Sequence, residues 1–352
     1  MSGTPKLTEL ASARAPFFWG VDVGGTNIKF GLVDDLGQTL LFESIPTEES
    51  RGPQAAVDRL ATALAVHEQQ LGTEVRAKIV GLGLGTPGSM DIPAGLLLEP
   101  PNLPNWFGFP IRQAVAEATG HEVTFLNDAN AAAYGEFWLG TGREHASMIL
   151  LTLGTGVGGG VIVNGELVNG VNSFGSECGH IVVDSAEDAR LCVWGGGRGH
   201  LEAYASASAV VQRTRELLRS GEGGATESRL TGLLGGGDSE LTAKKVYEAA
   251  AADDPLALQI VDETGFWLGV GITSLVATLD PGLVVLGGAM DFGGGDSTVG
   301  QRFLTRIRQE FSKRTFSNVA AGTTIDFALL GGDAGYLGSA GYARRTRQQA
   351  VV

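Results

Sequence analysis

Cysteine is nearly absent, with two in 352 residues. Two thiols make no disulfide framework, and a reducing cytoplasm is the context that fits them. Charge is sparse too, at 18% of residues, against about 25% in an average soluble chain. What there is leans acidic: 25 Lys and Arg against 39 Asp and Glu, a net charge of −14. Such a surface repels nucleic-acid phosphates and anionic lipid, so neither nucleic acid nor a membrane is an expected partner. The N-terminal MSGTPKLTELASARAPFFWG has no continuous apolar run, so no signal peptide is expected. The long uncharged stretch at 145–165 carries six glycines, which would break a membrane helix. It reads instead as two buried strands around a glycine loop.

Glycine is what the chain has in excess. Its 54 glycines are about twice the usual share, yet they show no G-X-Y period, which excludes collagen. With 43% hydrophobic residues, the chain can bury a large core, and its length suggests two domains.

Residues 17–23 read as a buried strand, Gly24-Gly25 as a tight turn, and 28–33 and 39–44 as two further strands. A helix is expected over 53–71, a strand over 78–84, a helix over 111–119, a strand over 123–126 and a helix over 129–139. The opening pattern then recurs: a strand at 147–153, a glycine loop at 154–160, a strand at 161–163, the turn Asn164-Gly165, and a strand from Glu166 to Val168. A unit that appears twice, Asp22 in one copy answering to Thr152 in the other, suggests a duplicated α/β architecture. Helices are expected near 203–219, 242–252 and 255–278, a strand at 283–286 running into Gly287-Gly288, and a last helix from Ala334, with 220–240 as a loop.

Gly154-Thr155-Gly156-Val157-Gly158-Gly159 spells the dinucleotide fingerprint, but a strand follows where that fingerprint needs a helix. The protein-kinase glycine loop is excluded because no H-R-D loop accompanies it, and no P-loop motif occurs. What survives is a pair of glycine hairpins, Asp22-Val23-Gly24-Gly25-Thr26-Asn27 and Gly154-Thr155-Gly156-Val157-Gly158. Side-chain-free turns let backbone N–H groups approach phosphate, and both loops lack Lys and Arg. Asp22 could hold Mg²⁺ through water. Asp128, between a strand and a helix, reads either as a helix cap or as a carboxylate placed to accept a hydroxyl proton. Four of the seven His and Cys residues fall within 178–200: Cys178, His180, Cys192 and His200. With no C-x-x-C pair, metal binding there is open rather than compelled.

Together the segments DVGGTNIKFGLVD, GLGLGTPGSMD, PNLPNW, NDANAAAYGE, TLGTGVGGGVIVNGELVNG, ECGH, the 192–202 stretch, VVLGGAM and LGGDAGYLGSA resemble the ROK family (repressor, open reading frame, kinase), nearest its glucokinases. The resemblance implies the actin-like, hexokinase-type ATPase fold (ribonuclease H-like), with two domains around a hinged cleft. It implies a tail at 1–16, a small α/β domain at 17–127 completed by a helix at 334–348, and a large α/β domain at 128–333. Asp128 matches the family's catalytic base, and Asn102, Asn127, Glu177, His180 and Glu202 its sugar contacts. Asp22, Gly24, Gly25, Thr26 and Asn27, with Gly154, Thr155 and Gly156, match its phosphate loops, and Gly287-Gly288 its adenosine approach.

The implied activity is phosphorylation of a hexose, glucose first, by ATP with Mg²⁺, in a cytoplasmic homodimer. The family's zinc loop is rewritten in the 177–202 segment: His180 and Cys192 stand, Trp194 replaces the second Cys, and His200 falls near the third. That leaves His180, Cys192 and His200 as a weak zinc set, makes a structural Zn²⁺ doubtful, and suggests that Trp194 packing holds the loop instead. The repressor branch carries an N-terminal helix-turn-helix, and about 16 residues before the first strand are too few for one, so DNA binding is not expected.

Overall fold

The computed structural model describes residues 5–100, 102–221, 227–234 and 241–351. Residues 222–226 and 235–240, most of the stretch expected as a loop, lie outside them. In chain order the elements are β1 (Phe17–Val23), β2 (Asn27–Val33), β3 (Thr39–Pro46), α1 (Pro53–Leu71), α2 (Thr73–Arg76), β4 (Ile79–Thr86), β5 (Ser89–Asp91) and β6 (Leu96–Glu99). Then come α3 (Ile111–Thr119), β7 (Val123–Asn127), α4 (Asp128–Trp138), β8 (Met148–Leu153), β9 (Val157–Val163), β10 (Glu166–Leu167), α5 (Glu202–Ala205), α6 (Ala207–Ser220) and α7 (Ala243–Ala250). The chain ends with α8 (Pro255–Leu279), β11 (Leu283–Gly287), α9 (Thr298–Arg314), α10 (Ser317–Gly322), β12 (Thr324–Phe327) and α11 (Ala334–Val351).

The first sheet has the order β3-β2-β1-β4-β7 and the second β10-β9-β8-β11-β12, the same arrangement twice. In the first, β1 pairs antiparallel with β2 and parallel with β4, which pairs parallel with β7. In the second, β11 pairs parallel with both β8 and β12. By contact density the chain divides into one unit of Met1–Glu144, Gly160–Ser176 and Leu329–Val352, and another of His145–Gly159 and Glu177–Ala328. By this division α4 and α11 belong to the first unit.

Both faces of the first sheet are covered, which is why β1 reads as an apolar run up to Asp22 near its carboxyl end. On one face Trp19, Val21, Phe30 and Leu32 pack with Val57, Leu60 and Leu64 of α1. On the other, Phe18 and Val33 pack with Tyr336, Leu337 and Ala340 of α11. Gly20 and Gly83 make that second contact possible: a Cβ on either would stand within 2 Å of an α11 carbonyl oxygen (1.9 Å from Tyr336, 1.8 Å from Ser339). In the second unit α8 is long and apolar enough to cross a bilayer by length and composition, but it is a core helix. Leu256, Ile260, Leu268 and Ile272 are buried, and Gly269 lies against Glu310 and Ile307 of α9.

Three expectations need correction. The glycine loop ends earlier than 160, because β9 begins at Val157 and takes Gly158, Gly159 and Gly160 into the strand. There Gly160 lies against Ala133 of α4, where a Cβ would meet the alanine methyl at 2.3 Å, so packing overrides the glycines' weak strand propensity. The single helix expected over 203–219 is two helices, parted at Ser206, whose hydroxyl caps α6 by accepting from Ala209 N. The loop at 190–200 is not held by Trp194, which is 42% exposed. Short antiparallel bridges, Val182 to His200 and Leu191 to Arg198, and the Cys192 N to Gly197 O bond at 2.7 Å hold it.

Candidate active site

In the first unit the carboxyl ends of three parallel strands meet: Asp22 pairs with Gly85, and Thr86 with Asn127. Carboxyl ends of such strands are where open α/β sheets bind ligands. The first glycine turn closes on itself through Gly24 N donating to Asn27 O at 2.9 Å. Buried Thr47 clamps it from both sides, its hydroxyl donating to Gly24 O at 2.6 Å and its N–H to Thr26 O at 2.8 Å. Asn102 is brought to the same turn, its Cβ 3.2 Å from where a side chain on Gly25 would begin.

Asp22 is opposite Lys29 in the ladder. Burial pushes its carboxyl up to about 6, with the Lys29 charge opposing. Gly335, in the first turn of α11, leaves room for this carboxylate: a Cβ there would stand 2.5 Å from Asp22 Oδ2. One carboxylate faced by a glycine of α11 fits Mg²⁺, which takes one or two protein carboxylates and draws its other ligands from water and phosphate.

The β7–α4 junction settles which residue caps the helix. Asn127 is the cap, its Oδ1 accepting from Ala129 N at 2.8 Å and Asn130 N at 3.4 Å. Asp128 is the first helical residue, with Oδ1 also accepting from Ala129 N at 2.8 Å. The cap reading of Asp128 therefore passes to its neighbour.

The second unit carries the other set. Its hairpin closes through Gly154 N to Gly156 O at 3.0 Å, and the start of α6 grips it through Ala207 N to Gly154 O at 2.8 Å and Ser208 Oγ to Thr155 O at 2.8 Å. Gly287 pairs with Thr152, and Gly288 presses on the end of β8, where its Cβ would be 2.2 Å from Leu153 O. Glu202 is buried, and its Oε2 accepts from Val157 N at 2.9 Å. Glu177 joins it: burial raises the Glu177 carboxyl, the His180 charge lowers it and the Glu202 charge raises it again. His180 Nε2 is 4.0 Å from Glu177 Oε2.

His180, Cys192 and His200 do come together, their donor atoms within 4.8 Å of one another and the two Nδ1 atoms 3.2 Å apart. Among the described residues the set stops at three, where a closed structural zinc site takes four. Cys192 donates instead to Glu202 Oε1 at 3.4 Å, and burial with the Glu202 charge pushes its thiol up to about 11. A closed structural site takes four donors, and His180, Cys192 and His200 alone do not complete one. Cys178 stands outside the set.

Thr47 and Lys29 were not legible as site residues. Lys29 lies two positions past the glycine turn, and only the β1–β2 register puts it opposite Asp22. Thr86 adds a buried hydroxyl without a hydrogen-bond partner among the described residues, at the end of β4.

A fold of duplicated β3-β2-β1-β4-β7 sheets with a glycine hairpin at each is the actin-like, hexokinase-type ATPase fold, and comparison with known proteins agrees. The ROK family model matches residues 18–346. A glucokinase of Halalkalibacterium halodurans is 36% identical over 326 residues, covering 92% of this chain and 93% of that one. Among solved structures, a ROK hexokinase from Thermus thermophilus superposes with a TM-score of 0.78 at 30% identity, covering 95% of this chain and 99% of the other. A ROK glucokinase from Streptomyces griseus, in complex with glucose and AMPPNP, gives 0.72 at 31% identity over 94% and 99%. The chain belongs to the ROK family, and within it to the sugar kinases.

Proposed function

We propose that the protein transfers the γ-phosphoryl group of ATP to the 6-hydroxyl of a hexose, glucose first, with Asp128 as general base. The observation that carries this reading is the division of labour at the head of α4. Asn127 is the cap, and Asp128, which shares the Ala129 N–H with it, follows as the first helical residue with its carboxylate at the carboxyl end of β7. Asp128 takes the hydroxyl proton while the sugar oxygen forms its bond to phosphorus and the bond to the departing ADP oxygen breaks.

Gly24 N and Gly154 N are engaged in closing their own turns; in each hairpin the N–H groups not used in this way would serve phosphate oxygens, and Gly287-Gly288 the adenosine. Asp22 would hold Mg²⁺, which supplies charge neutralisation on the phosphates when bound. Asn102, Glu177, His180 and Glu202 bind sugar hydroxyls, and Asn127 offers its Nδ2, since its oxygen is engaged by the cap. Glu202 enters the reaction already oriented by Val157 N and Cys192. Hydrogen-bonding groups fixed in this way discriminate strongly against sugars with the wrong hydroxyl pattern.

ADP release measured across glucose, mannose, fructose, N-acetylglucosamine and N-acetylmannosamine tests the reading. Glucose should give the highest kcat/KM. Absence of sugar-dependent ADP release from the whole panel would overturn it.

A further inference from the structure

The glycine hairpins offer a nucleotide only neutral N–H groups, and a triphosphate is strongly anionic. Within 17–33 and 147–168, the strands and turns of both hairpins, Lys29 is the single Lys or Arg. Directly opposed residues of an antiparallel pair project to the same face, so Lys29 shares the face of Asp22. That face is the one on which α11 begins, and Lys29 Nζ donates to Gly332 O, just ahead of the helix, at 3.0 Å. Its charge is felt by both Asp22 and Asp333. No carboxylate lies within ion-pair distance of it among the described residues. An ammonium has three donors, and one goes to this carbonyl.

We propose that Lys29 is a phosphate-binding residue, which donates to the phosphate chain of a nucleotide seated on the Gly24–Asn27 turn. The proposal rests on the kinase reading above and deepens it. A lysine suits the task because its ammonium is a compact point charge on a flexible stem, able to swing between Gly332 O and a phosphate oxygen as nucleotide enters and leaves. Its companion Asp22 would keep the ammonium over the turn by charge attraction. The competing role is purely structural: a pin between β2 and the segment leading into α11.

Calorimetric titration of the wild type and of Lys29→Met with Mg·ATP, and separately with adenosine, distinguishes the two. Losing a charge-assisted contact should weaken ATP binding by about 10–100-fold, leave adenosine binding unchanged, and change the melting temperature little. Lys29→Arg should restore most of the ATP affinity. The proposal is overturned if Lys29→Met binds ATP as the wild type does. It is equally overturned if ATP and adenosine weaken together while the melting temperature falls, the signature of a pin. Because binding is read without turnover, a wild type that binds ATP through Lys29 but phosphorylates no sugar would fail the kinase reading and keep this one. A wild type that binds neither ligand fails both.

Discussion

Glu202 accepts the amide of Val157 at 2.9 Å, and this one bond ties a candidate sugar ligand to the second glycine hairpin. Gly156 is needed for it, since a Cβ there would sit 2.3 Å from the same carboxylate oxygen. The other oxygen takes the Cys192 thiol, so the hairpin, the rewritten cysteine loop and α5 share one buried carboxylate. Glu202→Ala should leave the Val157 N–H without an acceptor and cost about 1–3 kcal/mol, read by urea unfolding. Glu202→Gln keeps an acceptor oxygen and should recover most of that stability while the sugar KM still rises. Equal destabilisation by both changes would mean that the Val157 bond is not what Glu202 contributes.

Neighbouring substitutions at the head of α4 should separate structure from chemistry. Asn127→Ala removes the cap and should cost about 0.5–2 kcal/mol of stability. Asp128→Asn should leave the unfolding curve almost unmoved and lower turnover by roughly 10²–10⁴, with sugar affinity little changed. Near-normal turnover in Asp128→Asn would remove the general-base assignment.

Much of this was readable from the chain, for physical reasons that particular elements show. β1 and α1 were expected at 17–23 and 53–71 and stand there, because a two-sided buried strand and a long amphipathic helix carry strong local signals. β12 alternates polar and apolar over only four residues, Thr324-Ile325-Asp326-Phe327, too short a run to mark a strand by itself; its pairing with β11 makes it one. Helix α9, with Val299, Phe303, Ile307 and Phe311 buried, carries the helical spacing but follows the glycine-rich 287–295 stretch, which reads as loop. The site divides in the same way. Asp22 and Asp128 stand at strand ends that the sequence marks, whereas Lys29 and Thr47 gain their places only through pairing and turn closure.

Cys178 gives a pH dependence whose sign can be worked out. Burial first, and the Glu177 charge second, push its thiol from 9.0 up to about 12. The folded state therefore holds this proton more tightly than the unfolded chain does. The resulting stability is fully present below pH 9 and is lost as pH rises from 9 towards 12, at about 1.4 kcal/mol per pH unit. Unfolding free energies between pH 8 and about 10.5 should fall more steeply for the wild type than for Cys178→Ala, in which this proton is missing. Parallel slopes would show that Cys178 titrates normally in the folded protein.

The three-donor set of His180, Cys192 and His200 predicts that the fold does not depend on zinc. Protein purified without chelator should carry well under one zinc per chain by elemental analysis, and EDTA should leave the melting temperature unchanged. Stoichiometric zinc, lost together with stability on chelation, would mean that a fourth ligand completes the site.

Gly335 offers a test in which stability and function should part company. In a helix, Gly→Ala ordinarily gains about 1 kcal/mol, and Gly335 lies in the first turn of α11. Here the new methyl would meet Asp22 Oδ2 at 2.5 Å and Cγ at 2.6 Å. The carboxylate is the end of a rotatable side chain, so it can move aside, and the helix gain should offset much of the strain. What cannot be retained is the position of Asp22 beside Lys29 and the glycine turn. Gly335→Ala should therefore melt near the wild-type temperature while its Mg²⁺ requirement rises: the magnesium concentration for half-maximal turnover goes up, and kcat at saturating glucose falls. A variant that melts many degrees lower would show that the niche serves packing first. One with an unchanged magnesium dependence would detach Asp22 from the ion.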